Sequence, residues 1–177
     1  MNRLLFTIFH ENNKLDAFNM EKKPYFTSTW FMEFGKFISE IFDEKGTKIF
    51  TIVKKFQFWK WKMVYKITDH HNKHFILTSQ NSKNTIYQLD VENTIYKIAI
   101  HYKKRTSIFK NDVKIAEIDN SFASQDFSDA IKLTLVSPED LKIVFLLFSC
   151  LKIGEADQNK PVLKSQKQLE SNNEPWN

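Results

Sequence analysis

Four residues in one short run have side chains suited to binding a metal. Asp69, His70, His71 and His74 supply a carboxylate and three imidazoles, which are ligands for zinc or copper. Neighbouring residues of a strand point to opposite faces, so His70 and His71 cannot easily bind one ion. The run also has the polar composition of a hairpin turn. We therefore predict a solvated turn here and no metal site.

The single cysteine, Cys150, is the candidate for nucleophilic catalysis. A reactive thiol needs an exposed position and a neighbouring base, whereas Cys150 lies within an apolar run. We predict that it packs in the core. One cysteine cannot form an intrachain disulfide, and this suits a reducing compartment, so a cytoplasmic location is expected.

Three acidic residues of one polar stretch, Asp119, Asp126 and Asp129, could bind calcium or act in acid–base catalysis. The stretch lacks the spaced acids and central glycine of an EF-hand loop, and we predict solvated loop residues. The chain has 3 glycines, too widely separated to form a Gly-rich phosphate loop. We predict no catalytic residue and no cofactor. An enzyme would need a polar pocket inside the fold.

Basic residues give the only functional lead. The formal net charge is +5, and the segment from residue 21 to residue 153 carries +6, from 21 basic and 15 acidic residues. The candidate residues for binding lipid headgroups are Lys54, Lys55, Lys60, Lys62, Lys66, Lys103, Lys104 and Arg105. Each charge near an anionic membrane contributes about 1 kcal/mol. The alternative is that these side chains only keep the outer surface soluble.

One buried helix is predicted over residues 138–152. Ser137 is a suitable N-cap, Pro138 suits the first helical position, and Glu139 and Asp140 favour the positive end of the helix dipole. The residues that follow leave no continuous polar face, so the helix must be surrounded. The uninterrupted apolar run 143–148 is far shorter than the roughly 20 residues of a membrane span. We expect protein around it and no transmembrane segment.

Aromatic and β-branched runs before this helix predict about ten antiparallel strands. The clearest alternation places Trp59, Trp61 and Tyr65 on an inner face, together with Met63 and Ile67, and lysines on the outer face. A long sheet with one apolar face closes on itself to remove its edges. We therefore expect a mainly β fold, a closed antiparallel barrel wrapped around the C-terminal helix.

Composition divides the chain into three parts. Residues 1–20 hold a short apolar run and a polar link, without the cleavage site of a signal peptide, and are predicted to be an N-terminal extension. Residues 21–153 form the barrel with its central helix. Residues 154–177 are rich in Gln, Asn, Lys and Glu, which predicts a disordered tail.

These runs, in this order, resemble the tubby C-terminal-like superfamily, whose fold is shared by phospholipid scramblases and plant LURP-one-related proteins. The turns 43–46 (Asp-Glu-Lys-Gly) and 69–72 (Asp-His-His-Asn) are similar to the family's repeated hairpins, and residues 106–118 to its hairpin with a central alanine. The last strand, followed by Ser-Pro-Glu-Asp at 137–140 and an apolar helix, matches the end of the family's domain. The resemblance covers residues 25–153.

The resemblance implies a barrel of about a dozen strands around the C-terminal helix. Tubby-type members bind phosphoinositides through basic surface residues, and scramblases are linked to calcium-dependent lipid movement. This chain differs from the scramblases because it lacks a Pro-rich N-terminal region and a Cys-rich cluster.

The combined expectation is a non-enzymatic, tubby-like binding module. Its expected partner is an anionic membrane surface, bound peripherally through the basic residues. The alternative is a protein-interaction or structural module with an unknown protein partner. Nucleic acid is not expected, because that function needs exposed aromatic side chains among the basic ones, and Trp59, Trp61 and Tyr65 are predicted to face inward.

Overall fold

Twelve antiparallel strands and one helix make up the computed structural model, which describes residues 3–18, 24–102, 105–120, 130–153 and 169–171. The strands are β1 (Leu4–Glu11), β2 (Lys14–Phe18), β3 (Pro24–Glu33), β4 (Lys36–Asp43), β5 (Lys48–Gln57), β6 (Lys62–Asp69), β7 (His74–Ser79), β8 (Ile86–Val91), β9 (Thr94–Ile100), β10 (Arg105–Lys110), β11 (Val113–Asp119) and β12 (Ala130–Leu135). A 3₁₀ turn, Phe58–Lys60, connects β5 to β6, and a second one, Pro138–Asp140, leads into helix α1 (Leu141–Lys152).

Each strand pairs with its neighbours in the chain, and β1 also pairs with β12, which closes the barrel. Ile8 of β1 lies opposite Ile131 of β12, and both side chains are buried. Closure leaves no strand edge free to pair with another chain. The predicted mainly β, closed barrel around a C-terminal helix is confirmed.

The first two strands correct the prediction that residues 1–20 form an extension, since residues 4–18 belong to the barrel wall. Leu15 and Ala17 of β2 are fully buried, as is Ile8 of β1. The partner β12 lies more than a hundred residues away in the sequence, so local patterns gave no sign of this pairing. In the predicted tail, the described residues 169–171 also contact the barrel, because the Glu170 amide donates to the Ile100 carbonyl at 3.0 Å.

The helix occupies the interior of the barrel. Side chains on all its sides are buried, including Val144, Phe145, Leu147 and Phe148. The ring of Phe145 stacks on Phe26 of β3, with centroids 5.8 Å apart. A helix that is apolar on every side must be enclosed, and the inner faces of the strands enclose this one.

Polar contacts hold both ends of the helix. At the start, the Ser137 hydroxyl accepts a hydrogen bond from the Glu139 amide at 3.4 Å, and Lys110 of β10 forms an ion pair with Asp140 at 3.0 Å. At the other end, the Lys54 ammonium of β5 donates to the Ile153 carbonyl. Negative charge at the first turn and positive charge at the last turn both interact favourably with the helix dipole.

These contacts show the direction of the helix, which runs through the barrel from the end near Lys110 to the end near Lys54.

Replacement of Phe145 by alanine should lower the free energy of unfolding by about 3–5 kcal/mol, because it opens a cavity against the Phe26 ring. Chemical denaturation followed by circular dichroism measures this change. Ile76→Thr on the exposed outer face of β7 is the control and should change stability by less than about 0.5 kcal/mol. Equal losses in the two variants would contradict the central role of the helix.

Cys150 is fully buried in the helix, and this burial raises the pKa of its thiol well above the usual range. The thiol of the folded protein should therefore not react with a maleimide or a disulfide reagent at pH 8. In denaturant, 1 thiol per chain should react, as the sequence requires. Rapid labelling of the folded protein would show that the helix leaves the barrel easily.

Candidate functional site

The two ends of the helix distinguish the two ends of the barrel. We call the end near Lys54 and Ile153, where the helix finishes, the upper rim. The β3–β4 and β5–β6 turns both lie at this rim and are neighbours, because Phe37 of β4 pairs in register with Lys54 of β5. Adjacent strands are about 4.8 Å apart, so the two turns form one continuous surface.

The five predicted lysines of β5 and β6 differ in position and exposure. Lys55, Lys60 and Lys62 lie at the end of the β5–β6 hairpin, with Lys55 and Lys60 exposed and Lys62 half-buried. Lys54 lies on the same hairpin but contacts the end of the helix. Lys66 is exposed further along β6, away from the rim. Four of the five lysines in this group are therefore brought together at one hairpin end.

Arg105 opens β10 and is separated from this hairpin by β7, β8 and β9. Its guanidinium lies 3.4 Å from Glu117 and 3.4 Å from Asp119, two buried carboxylates of β11. Lys114 also forms an ion pair with Glu117. The charge of Arg105 is thus balanced within the barrel wall, where paired buried charges serve the structure. The predicted residues Lys103 and Lys104 lie outside the described residues.

Next to Arg105, His101 is buried at the end of β9. Burial lowers the pKa of His101, and its Nε2 lies 2.9 Å from the Ser107 hydroxyl. Glu170 covers this region, since its carboxylate accepts a hydrogen bond from Thr85 at 2.8 Å. A neutral His101 side chain contributes no positive charge to an anion-binding site.

The structure reveals an exposed aromatic surface that the sequence reasoning missed. Trp59 is 99% exposed, Phe34 is 94% exposed and Trp61 is 67% exposed, so the prediction that Trp59 and Trp61 face the core is wrong. The prediction was correct for Tyr65, which is buried. We call residues 31–37 and 54–62 the rim hairpins. Their exposed large apolar side chains are Phe31, Met32, Phe34, Phe37, Phe56, Phe58, Trp59 and Trp61.

The alternation of β6 ends where the hairpin turns. Residues 58–60 form a 3₁₀ turn, and Trp61 has a left-handed backbone with φ of 50°. No Gly, Pro, Asn or Asp occurs between residues 56 and 62, so the usual turn signal is missing from the sequence. The predicted alternation therefore began at Trp59, three residues before the first residue of β6.

The rim hairpins carry a net positive charge. They contain five lysines (Lys36, Lys54, Lys55, Lys60 and Lys62) and one acid, Glu33, which gives +4. Lys36 was not among the predicted residues. The hairpins therefore combine cationic side chains with exposed aromatic ones on one surface. This combination suits a partner that presents both anionic groups and apolar or aromatic groups.

The other candidate residues that the structure describes lie in a turn or in an ion pair. His70 and His71 are exposed, with ring centroids 3.8 Å apart, and Asp69 accepts hydrogen bonds from the amides of His71 and Lys73 within the turn. Among the residues whose positions are described, no three His, Cys, Asp or Glu side chains converge as metal ligands. Asp119 pairs with Arg105, while Asp126 and Asp129 lie outside the described residues.

A surface hollow of about 310 Å³ lies beside β1 and β12. Its described lining consists of Thr7, Ala130, Ile131 and Lys132, and of these four only Lys132 is ionisable. The core of the barrel is filled by the helix and the strand side chains that pack on it. For the described part of the chain, no helix has both the length and the apolar character to cross a bilayer.

Comparison with known proteins agrees with this architecture. A crystal structure of a protein from Arabidopsis thaliana superposes with a TM-score of 0.60 at 11% sequence identity, covering 85% of this chain and 90% of that one. This likeness shows a shared fold. No curated protein sequence matched the chain. The family model described as the Tubby C-terminal like domain matches residues 12–153, from the β1–β2 turn to the end of the central helix. The chain therefore belongs to the Tubby C-terminal like domain family.

Proposed function

We propose that this protein is a non-enzymatic module that binds anionic membrane surfaces peripherally through the lysines of the rim hairpins. The observation that carries the proposal is the collection of Lys36, Lys55, Lys60 and Lys62 at the ends of two adjacent hairpins. The net charge of +4 on these hairpins attracts anionic headgroups. Membership of a tubby-like family, whose domains bind lipids or proteins, supports a binding role.

The contacts of the individual basic residues support the rim hairpins as the binding surface. Arg105 is balanced by two buried carboxylates and Lys54 contacts the helix end, so neither is offered as a main headgroup contact. The exposed Lys55 and Lys60 extend from a hairpin end that projects past the core. Exposed lysines on flexible stems can follow a fluid headgroup layer, which has no fixed geometry to match. A cytoplasmic location would bring this surface to the anionic leaflet of cellular membranes.

The non-enzymatic role has separate support. The space inside the barrel is occupied by the helix, and the buried thiol of Cys150 is unsuited to nucleophilic attack. The alternative, a protein-interaction module, uses the same rim but requires an acidic protein surface. A failure to bind vesicles would make that alternative the better explanation.

Reversal of two charges at the rim should weaken binding to anionic vesicles. In the Lys60→Glu, Lys62→Glu variant, the loss of two attractive charges alone removes about 2 kcal/mol, which is roughly 30-fold in affinity. Co-sedimentation with vesicles of phosphatidylcholine, with and without phosphatidylserine, measures the effect at low ionic strength. Binding of the unmodified protein should require the anionic lipid and should weaken as salt is added.

The matched control reverses the same number of charges at the opposite end of the barrel. Lys45 and Lys73 lie in the β4–β5 and β6–β7 turns and are exposed. The Lys45→Glu, Lys73→Glu variant should retain most of the binding, because it changes the long-range field and the exposed Lys73–Glu92 ion pair but no contact of the rim. Equal weakening in both variants would show that net charge, and not the rim, determines binding, and would contradict the proposed site.

A further inference from the structure

The lysines do not explain the apolar side chains of the rim hairpins. Eight large apolar side chains are exposed there, and the tip residues Phe34 and Trp59 have almost no protein contact. Contiguous exposed apolar surface in a folded domain is a mark of an interaction site. A purely electrostatic contact with headgroups would need only the lysines.

The backbone at both tips is strained by the choice of aromatic residues. Phe34 and Gly35 form the two-residue loop between Glu33 and Lys36, and both have positive φ, 46° and 73°. Such a loop strongly favours Asn-Gly or Asp-Gly. Trp61 likewise has φ of 50° at the last position of its turn. A bulky side chain in this conformation is disfavoured, because its Cβ approaches the backbone.

The remaining turns of the same barrel follow the usual preference. Apart from Phe34 and Trp61, the described non-glycine residues with positive φ are Asn12, Asn72, Asn84, Glu92, Asn111 and Asp112. All six are polar, and five are Asn or Asp. The two strained aromatic residues both lie on the rim hairpins, where their side chains are exposed. The fold gains little from these exposed rings, and strained residues cluster at functional sites, so this choice of residues favours contact with a partner.

The aromatic side chains of the longer hairpin are also arranged against one another. Phe56 packs edge to face with Phe58, at 5.0 Å between ring centroids, and with Trp61, at 6.2 Å. These contacts orient the exposed rings without burying them. A preformed apolar tip loses less conformational entropy when it binds.

We propose that the rim hairpins insert their aromatic side chains into the interfacial layer of an anionic bilayer, so that the barrel binds with its upper rim toward the membrane. This inference rests on the proposed function and adds a hydrophobic component to it. Trp and Phe rings prefer the boundary between headgroups and acyl chains, and the lysines behind them reach the headgroup phosphates.

The geometry favours a bilayer over other partners. The tip residues Phe34 and Trp59 are almost fully exposed, whereas single-stranded nucleic acid is bound along a positively charged groove with stacking platforms. A second copy of the chain would bring two rims of charge +4 together, which is unfavourable. A fluid apolar layer under anionic headgroups matches both the protruding rings and the lysines. Binding of nucleic acid and self-association would each give a different experimental result from membrane insertion.

The first experiment uses tryptophan fluorescence of the full chain with Trp176 replaced by Phe, so that only Trp30, Trp59 and Trp61 report. Trp30 is buried and serves as the internal reference. Vesicles containing phosphatidylserine and brominated phosphatidylcholine should shift the emission to the blue and quench it. A further Trp59→Phe, Trp61→Phe change should abolish the quenching while vesicle binding is kept, because Phe preserves the apolar contact.

The second experiment separates function from stability. The Phe34→Asn, Trp61→Asn variant removes two apolar side chains and relieves the strained turns. Its affinity for anionic vesicles should fall at least roughly tenfold, because two buried rings are lost. Its Tm should not fall, and relief of strain should raise it by about 2–4 °C. The matched control is Val113→Asn, which removes an exposed apolar side chain from the first residue of β11, at the opposite end of the barrel, and should leave vesicle affinity unchanged.

The outcomes are distinguishable. Binding to anionic vesicles without quenching by brominated lipid would overturn insertion and leave the proposed function standing. No binding to any vesicle would overturn both. Quenching of Trp59 and Trp61 by a single-stranded oligonucleotide but not by lipid would overturn insertion in favour of nucleic acid. Dimers in sedimentation equilibrium that dissociate in the Phe34→Asn, Trp61→Asn variant, without vesicle binding, would assign the rim to self-association. Quenching by lipid together with the loss of affinity in that variant supports insertion.

Discussion

Enclosure of an apolar helix is the interaction on which the rest of this structure depends. Helix α1 has no polar face, so it is stable only where apolar side chains meet it on every side. A closed barrel meets that requirement and also removes the strand edges that an open sheet would expose. The closing strands β1 and β2 precede the other strands in the sequence, and the helix follows the last strand. The barrel therefore closes around the helix only when segments more than a hundred residues apart are in place.

The length of the helix also limits the height of the core. The twelve residues of the helix are about 18 Å long. Strands that extend about 18 Å along the helix axis are enough to enclose it. The β3–β4 and β5–β6 hairpins continue past the point where Lys54 contacts the Ile153 carbonyl. Beyond this point an inward-facing side chain has no core to contact. Aromatic residues that would be buried lower in the barrel are therefore exposed at the rim.

Charges in the barrel wall divide in the same way. Arg105, Glu117 and Asp119 neutralise one another within the sheet, and Lys110 and Lys54 are committed to the two ends of the helix. These contacts stabilise the fold and leave little charge for a ligand. The lysines beyond the core, such as Lys55 and Lys60, have no such task in the fold. The basic residues that stabilise the fold therefore lie alongside the helix or at its ends, whereas those available to a partner lie beyond it. The sequence alone does not distinguish the two groups.

Local sequence determined most of the architecture, because residue spacing reports directly on burial. It predicted ten of the twelve strands, the capped helix over residues 138–152 and the closed barrel, and it grouped four lysines that lie together. It did not show β1 pairing with β12 across more than a hundred residues, since strand partners are chosen by the closed sheet. Nor did it show that Trp59 and Trp61 are exposed. Alternation shows which side chains share a face, and only the tertiary structure decides where the core behind that face ends.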